Sequence, residues 1–196
     1  MALNDDLSLD LDETQRRLAT VGSRIIAGSY FGGVAIWSLC DPTHWSWLSS
    51  LILTTHELGH VVFAPFGEWM MVAGGTILQL LAPVAAYGVL RRQREPTALF
   101  VGGAWFVTSL TNVATYVGDA RAQELPLVSL GDTAEHDWGY LLDHAHALAA
   151  DTRIAHDLRG VAWMVFIGVT TISVLRLLGG PSVHTAPTEP PSVANE

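Results

Sequence analysis

Five apolar stretches, residues 25–40, 45–66, 69–90, 97–117 and 161–178, take up much of this 196-residue chain. Most come close to the ~20 residues that a membrane-spanning helix needs. Backbone groups in hydrocarbon have no water to bond, and a single segment satisfies them internally only as a helix. The expected fold is therefore all-α: a polytopic membrane helix bundle of about five transmembrane helices, the first of them short. Composition points the same way, with 49% hydrophobic and 15% charged residues and a mean hydropathy of +0.32, too apolar for an ordinary soluble domain of this size.

The polar stretches divide the chain around those runs. Residues 1–23 are acidic up to Arg16 and Arg17 and lack the basic start and small-residue cleavage site of a secretory signal. They are expected to be retained, as a disordered tail or a short amphipathic helix. Residues 24–178 form the membrane-embedded unit, in which "RRQREP" makes a tight turn between spans three and four and the polar segment 119–159 separates spans four and five. Residues 179–196, rich in Pro, Ser and Thr, are expected to be a disordered tail. A net charge of −9, with no basic stripe to neutralise phosphates, argues against nucleic acid as a partner. If every run crosses the bilayer and the N-terminus is cytoplasmic, Arg16, Arg17, Arg24, Arg121, Arg153 and Arg159 fall inside and Arg91, Arg92, Arg94 and Arg176 outside. The count favours a cytoplasmic N-terminus, although the "RRQR" turn opposes it.

Within the second run, "LILTTHELGHVVFAPF" sets two histidines and a glutamate among apolar residues. The H-E-x-x-H spacing puts His56 and His60 on one helical face, one turn apart, where two imidazoles can grip one ion. Glu57 stands beside the first ligand, placed to accept a proton from activated water rather than to bind metal. A solvated polar face does not explain the motif, because its flanks are apolar, and ionisable groups at membrane depth usually face a protein interior or water-filled cavity with a functional partner. Cys40 is the single cysteine, so neither an internal disulfide nor a thiolate zinc site is available, and any metal must be held by His, Asp or Glu.

A hydrolytic zinc site needs a third protein ligand. Asn112, Tyr116 and Asp119 are spaced by four and three, which aligns them on one face of a helix that continues to Asp119. With one span between them, the helices carrying His56 and Asp119 run parallel and can share one ion. The plainer reading of Asp119 is a solvent-exposed charge that ends the fourth span and pairs with Arg121. His136 and Asp137, in the polar segment, are alternative ligands or orienting partners. His144 and His146, two apart, do not face one another on a helix. Residues 138–148 carry apolar positions at helical spacing and can lie along the interface, where ordinary surface packing is the plainer use and a cover over the mouth of the site the other.

With these residues the chain resembles the site-2 protease family of intramembrane zinc metalloproteases. That family carries H-E-x-x-H in one core span and, two spans later, an asparagine followed about two turns on by an aspartate that completes the zinc site; His56, Glu57, His60, Asn112 and Asp119 match these positions. "GGTILQLLAP" is similar to the family's Gly-rich middle span, and the likeness covers residues 46–120. The prolines between the family's Asn and Asp are missing and its Asp-Gly pair is replaced by Gly118-Asp119-Ala120, the mark of a divergent member. The resemblance implies a peptidase that cuts transmembrane or membrane-proximal segments of a membrane protein substrate within the lipid bilayer.

The expected reaction is peptide hydrolysis by zinc-activated water, with His56, His60 and Asp119 as zinc ligands and Glu57 as catalytic base. Water must then reach the site, so a polar cavity is expected on the side of Asp119 and the acidic segment. Gln79 could hydrogen-bond substrate or water, and Arg121 could stabilise an oxyanion. Gly74 and Gly75 are expected to serve close helix packing. The rival reading is a non-catalytic membrane protein that binds or transports a metal ion; its path would need polar residues along several spans, whereas here they cluster toward one end.

Overall fold

The computed structural model describes residues 2–125 and 136–178. The described residues form six α-helices and no strand: α1 (Ala2–Cys40), α2 (Trp47–Phe63), α3 (Glu68–Arg92), α4 (Ala98–Gly118), α5 (Asp137–His144) and α6 (Asp151–Leu178). The polar N-terminal segment is thus helical and continuous with the first apolar run. The C-terminal tail 179–196 lies outside the described residues, as does 126–135 within the polar segment.

Short local signals set the helix ends. Before α2, the Ser46 N–H donates to Ser49 Oγ at 3.0 Å and the Ser49 N–H to the Ser46 carbonyl at 2.9 Å, closing its first turn. A 3₁₀ turn, Ala64–Phe66, follows α2, and Gly67 with φ +96° reverses the chain into α3. The apolar residues of "RRQREP" are few, and Arg94 at φ 59° closes the turn from α3 to α4.

Cross-helix contacts give the directions. Gly59 abuts Gly74 and His60 reaches Met71, so α2 and α3 are antiparallel. Gln79 meets Ser109 and Asn112 while Tyr87 meets Gly102, so α3 and α4 are antiparallel as well. Gly118 lies against Ala155 and Gly103 against Val169, which makes α6 antiparallel to α4. Gly28 meets Phe100 and Ser38 meets Thr108, which makes α1 parallel to α4, and therefore to α2. Helices α1 and α2 are consecutive yet point the same way. The link 41–46 accordingly retraces about 15 Å of α1, and the Trp47 indole donates to the Tyr30 hydroxyl at 2.8 Å.

Among the described residues, three segments are long and apolar enough to cross a membrane: α3, α4 and Leu148–Arg176, which holds most of α6. Helix α2, at 17 residues, is shorter, and α1 is joined to it by a return rather than by a turn at the far side. The central element is α4, with 61% of its apolar window buried, against 28% for α3 and 11% for α6. Its inner face combines Val107, Val113 and Val117 with Thr108, Ser109 and Thr111. Thr111 is accommodated because its hydroxyl donates to the Val107 carbonyl of the preceding turn, and the Thr108 hydroxyl accepts from Ser38 Oγ at 3.5 Å. Helix α5 folds back on this bundle, with Leu142 packed against Val113, Val117 and Ala120.

Candidate metal centre

The HELGH turn faces α3 at its glycines. A Cβ on Gly59 would collide with the Gly74 carbonyl, and one on Gly75 would stand 2.7 Å from His60 Nε2 and 2.8 Å from His56 Nε2. Hydrogen in place of a side chain lets the α3 backbone pass directly beneath both imidazoles. The ligand atoms of His56, Glu57 and His60 all lie within 4.8 Å of one another, a group that could hold a metal ion.

Both imidazoles are oriented from behind. His56 Nδ1 is 2.9 Å from Gln79 Oε1. Gln79, 1% exposed, has its own amide turned to the Ser109 carbonyl at 3.3 Å and to Asn112 Oδ1 at 2.9 Å. A carbonyl can only accept, so the Gln79 NH₂ faces Ser109, its oxygen faces His56, and His56 Nδ1 carries the proton. His60 Nδ1 likewise donates to the Met71 carbonyl at 2.9 Å. Two Nδ1–H tautomers leave two Nε2 lone pairs on the same side.

The carboxylate that meets those lone pairs belongs to Asp137. Its Oδ2 lies 2.8 Å from His56 Nε2 and 3.3 Å from His60 Nε2. The backbone N–H of Asp137 donates to the Tyr116 hydroxyl at 3.1 Å, and the preceding residue, His136, caps α5 by accepting the Gly139 N–H on Nδ1 at 3.1 Å. His136 is 4% exposed and its ring lies over Tyr116 at 4.3 Å. Burial holds its pKa below the ordinary histidine value despite the pull of Asp119; because Nδ1 accepts the Gly139 N–H, the ring proton is on Nε2, which lies 3.4 Å from Asp119 Oδ2 without a hydrogen-bond partner. Burial also pushes the Asp137 carboxyl upward, but the two adjacent imidazoles together pull harder and leave it below the ordinary carboxylate range.

Asp119 stands elsewhere. Helix α4 ends at Gly118, and the Asp119 carboxylate accepts the N–H groups of Glu124 at 2.9 Å and Leu125 at 3.0 Å. It organises the turn after α4 instead of reaching the imidazoles, because the residues that follow offer unpaired backbone donors at closer range. Arg121 is also displaced from its expected roles: its Nε donates to Asp151 Oδ2 at 2.7 Å, tying the turn to the start of α6, and 52% of its side chain is exposed. Asn112 and Tyr116 do face the cluster, Asn112 through Gln79 and Tyr116 through Asp137. His144 is exposed and spends Nδ1 on the Tyr140 carbonyl. The Met71 and Ser109 carbonyls, which complete the support of the two histidines, carry no side-chain signal in the sequence.

The donor set fits a divalent cation of zinc type. Four ligands at about 2.0–2.1 Å on a tetrahedron lie roughly 3.3 Å apart, near the separations between Asp137 Oδ2 and the two Nε2 atoms. Access runs past His60, whose side chain is 23% exposed, against 10% for His56 and 14% for Asp137. Glu57 is half-buried beside them. Compared with family models, with curated proteins and with solved structures, the chain matches none of them.

Proposed function

We propose that this chain is an intramembrane zinc metallopeptidase, hydrolysing peptide bonds in transmembrane or membrane-proximal segments of membrane proteins, as its resemblance to the site-2 protease family implies. One observation carries the reading: three electron-pair donors, His56 Nε2, His60 Nε2 and Asp137 Oδ2, converge while both Nδ1 protons are committed to Gln79 and to the Met71 carbonyl. A proton could fill that gap only by making an imidazolium or a neutral carboxylic acid there, and either would spend a donor atom that the arrangement leaves free for a cation. A cation suits it better. His56, His60 and Asp137 would hold the zinc, with Asp137 in the place assigned to Asp119 on sequence.

Zinc, when bound, supplies Lewis acidity that acidifies water and polarises a carbonyl. The chain's own groups do the remaining work. Glu57, next to His56 and without a place among the three converging donors, takes a proton from the attacking water and delivers it to the leaving amine. Gln79 and Met71 hold the imidazoles in one tautomer, and Tyr116 holds the Asp137 backbone. The arginine-rich end of the bundle, where Arg24, Arg91, Arg94 and Arg176 meet, is the cytoplasmic end on this reading, because basic residues concentrate there.

The test is Glu57→Gln in the full chain, reconstituted with a membrane-protein substrate. Zinc should stay bound in a 1:1 ratio while cleavage falls by about 10²–10⁴-fold, the usual scale for a general base. Undiminished cleavage with zinc retained would remove Glu57 from the reaction. Zinc flux across vesicles that is lost in His56→Ala and preserved in Glu57→Gln would replace the peptidase with a metal carrier.

A further inference from the structure

At the end of the bundle away from the HELGH turn, the start of the apolar part of α1, the α3–α4 turn and the end of α6 enclose a cavity of about 370 Å³. Arg24, Arg91, Arg94 and Arg176 line it, with Glu95 as the one acidic residue and the buried Ser173 at its floor. None of these four arginines forms an ion pair or side-chain hydrogen bond among the described residues. Arginines at the C-termini of α3 and α6 are accounted for by the partial negative charge of a helix end. Arg24 is not: it sits inside α1, and its Nε is buried with no hydrogen-bond partner. A buried guanidinium N–H without an acceptor is costly, and the neighbouring Glu95 does not supply one.

A second cavity adjoins it. A cleft of about 300 Å³ between α1, α4 and α6 shares Arg24, Phe100 and Ser173 with it, and continues along Gly28, Gly32 and Ala35 of α1, which face Ala104 and Val107 of α4. From Arg24 to Ala35 the cleft follows α1 for about 16 Å. Its lining is overwhelmingly apolar, and small residues on α1 keep it open. A cationic chamber adjoining an apolar cleft matches a phosphate joined to an acyl chain; a free anion would use only the first.

We propose that this composite pocket binds one glycerophospholipid of net negative charge, its phosphate among Arg24, Arg91, Arg94 and Arg176 and one acyl chain along the cleft. Arginine suits the headgroup because its planar fork bonds two phosphate oxygens at once. Four guanidinium groups against one carboxylate favour a lipid with net charge over a zwitterion. The lipid would fasten α1 to α4 and α6 where α1 has few contacts of its own with α6.

The full chain in detergent, stripped of lipid and titrated under native mass spectrometry, tests the site with three probes: dioleoylphosphatidylglycerol, dioleoylphosphatidylcholine and inorganic phosphate. Phosphatidylglycerol should bind one-to-one and at least about fivefold more tightly than phosphatidylcholine. Arg24→Gln combined with Arg176→Gln should weaken it about tenfold or more. Gly32→Leu, at a position where a Cβ meets no atom within 4 Å, provides a second arm; in protein whose helicity is unchanged by circular dichroism it should weaken phosphatidylglycerol and leave phosphate unaffected. Equal binding of the two lipids, unchanged by the arginine substitutions, overturns the headgroup site. Phosphate binding as tight as the lipid, with Gly32→Leu silent, overturns the acyl site and leaves a site for a free anion.

Discussion

Asp119 is buried and Asp137 half-buried, both at the same end of the bundle, and their partners separate them. Asp137 faces two imidazole nitrogens, whereas Asp119 faces two backbone amides. Asp137→Ala should therefore abolish stoichiometric zinc in metal analysis of purified protein. Asp119→Ala should retain zinc and lower the thermal midpoint instead, since two part-buried amides lose a charged acceptor, at about 1–3 kcal/mol. Zinc lost from Asp119→Ala and kept by Asp137→Ala would return the third ligand to the helix end. Behind the histidines, Gln79→Ala removes the acceptor that holds His56 in its Nδ1–H tautomer. Metal affinity should fall by about 10–100-fold in a competition titration with a chromophoric chelator, the range expected for an orienting partner.

Between elements, the α2–α3 seam is the sensitive contact. Gly59 and Gly74 bring the two backbones together, and Gly75 passes under the imidazoles. A methyl group at Gly59 meets backbone atoms that cannot swing aside, so Gly59→Ala should destabilise the bundle by about 1–3 kcal/mol in detergent unfolding. At Gly75 the obstruction is two histidine rings, which can rotate. Gly75→Ala should keep the helices folded, as circular dichroism would show, and lose zinc. Zinc bound normally by Gly75→Ala would mean that the rings do not occupy the positions seen here. Gly74 and Gly75 read from sequence as small residues at a helix interface; that Gly75 lies beneath the two imidazoles depends on the axial register of α2 against α3.

For the whole molecule, the parallel course of α1 and α2 changes the arginine balance. If each apolar run crossed the bilayer in turn, the "RRQR" turn would stand opposite Arg24. With α1 parallel to α4, Arg24, Arg91, Arg94 and Arg176 meet at one end, and Arg121 stands at the other beside the start of α6. With exposed Cys40 replaced by Ser, cysteines introduced at Gln93 and at Ala122 should react with a membrane-impermeant maleimide from opposite faces, Gln93 from the cytoplasmic one. Labelling of both from one face would refute this topology.

Residue chemistry and local periodicity were enough to establish the helical class, the polar supports Gln79, Asn112 and Tyr116 as candidates, and the histidine pair, because a spacing of four is a property of any α-helix. They were also enough to name Asp137 as an alternative to Asp119. Which of the two carboxylates stands against the imidazoles was decided by the tertiary structure: α5 is separated from α4 in the chain, and only its folding back through Leu142 and Tyr116 carries Asp137 to the imidazoles. The return of the chain between α1 and α2 was equally beyond the pattern, since an apolar run of given length looks alike whether the chain then turns at the far side or doubles back. Both decisions rest on packing between segments distant in sequence, which local periodicity does not encode.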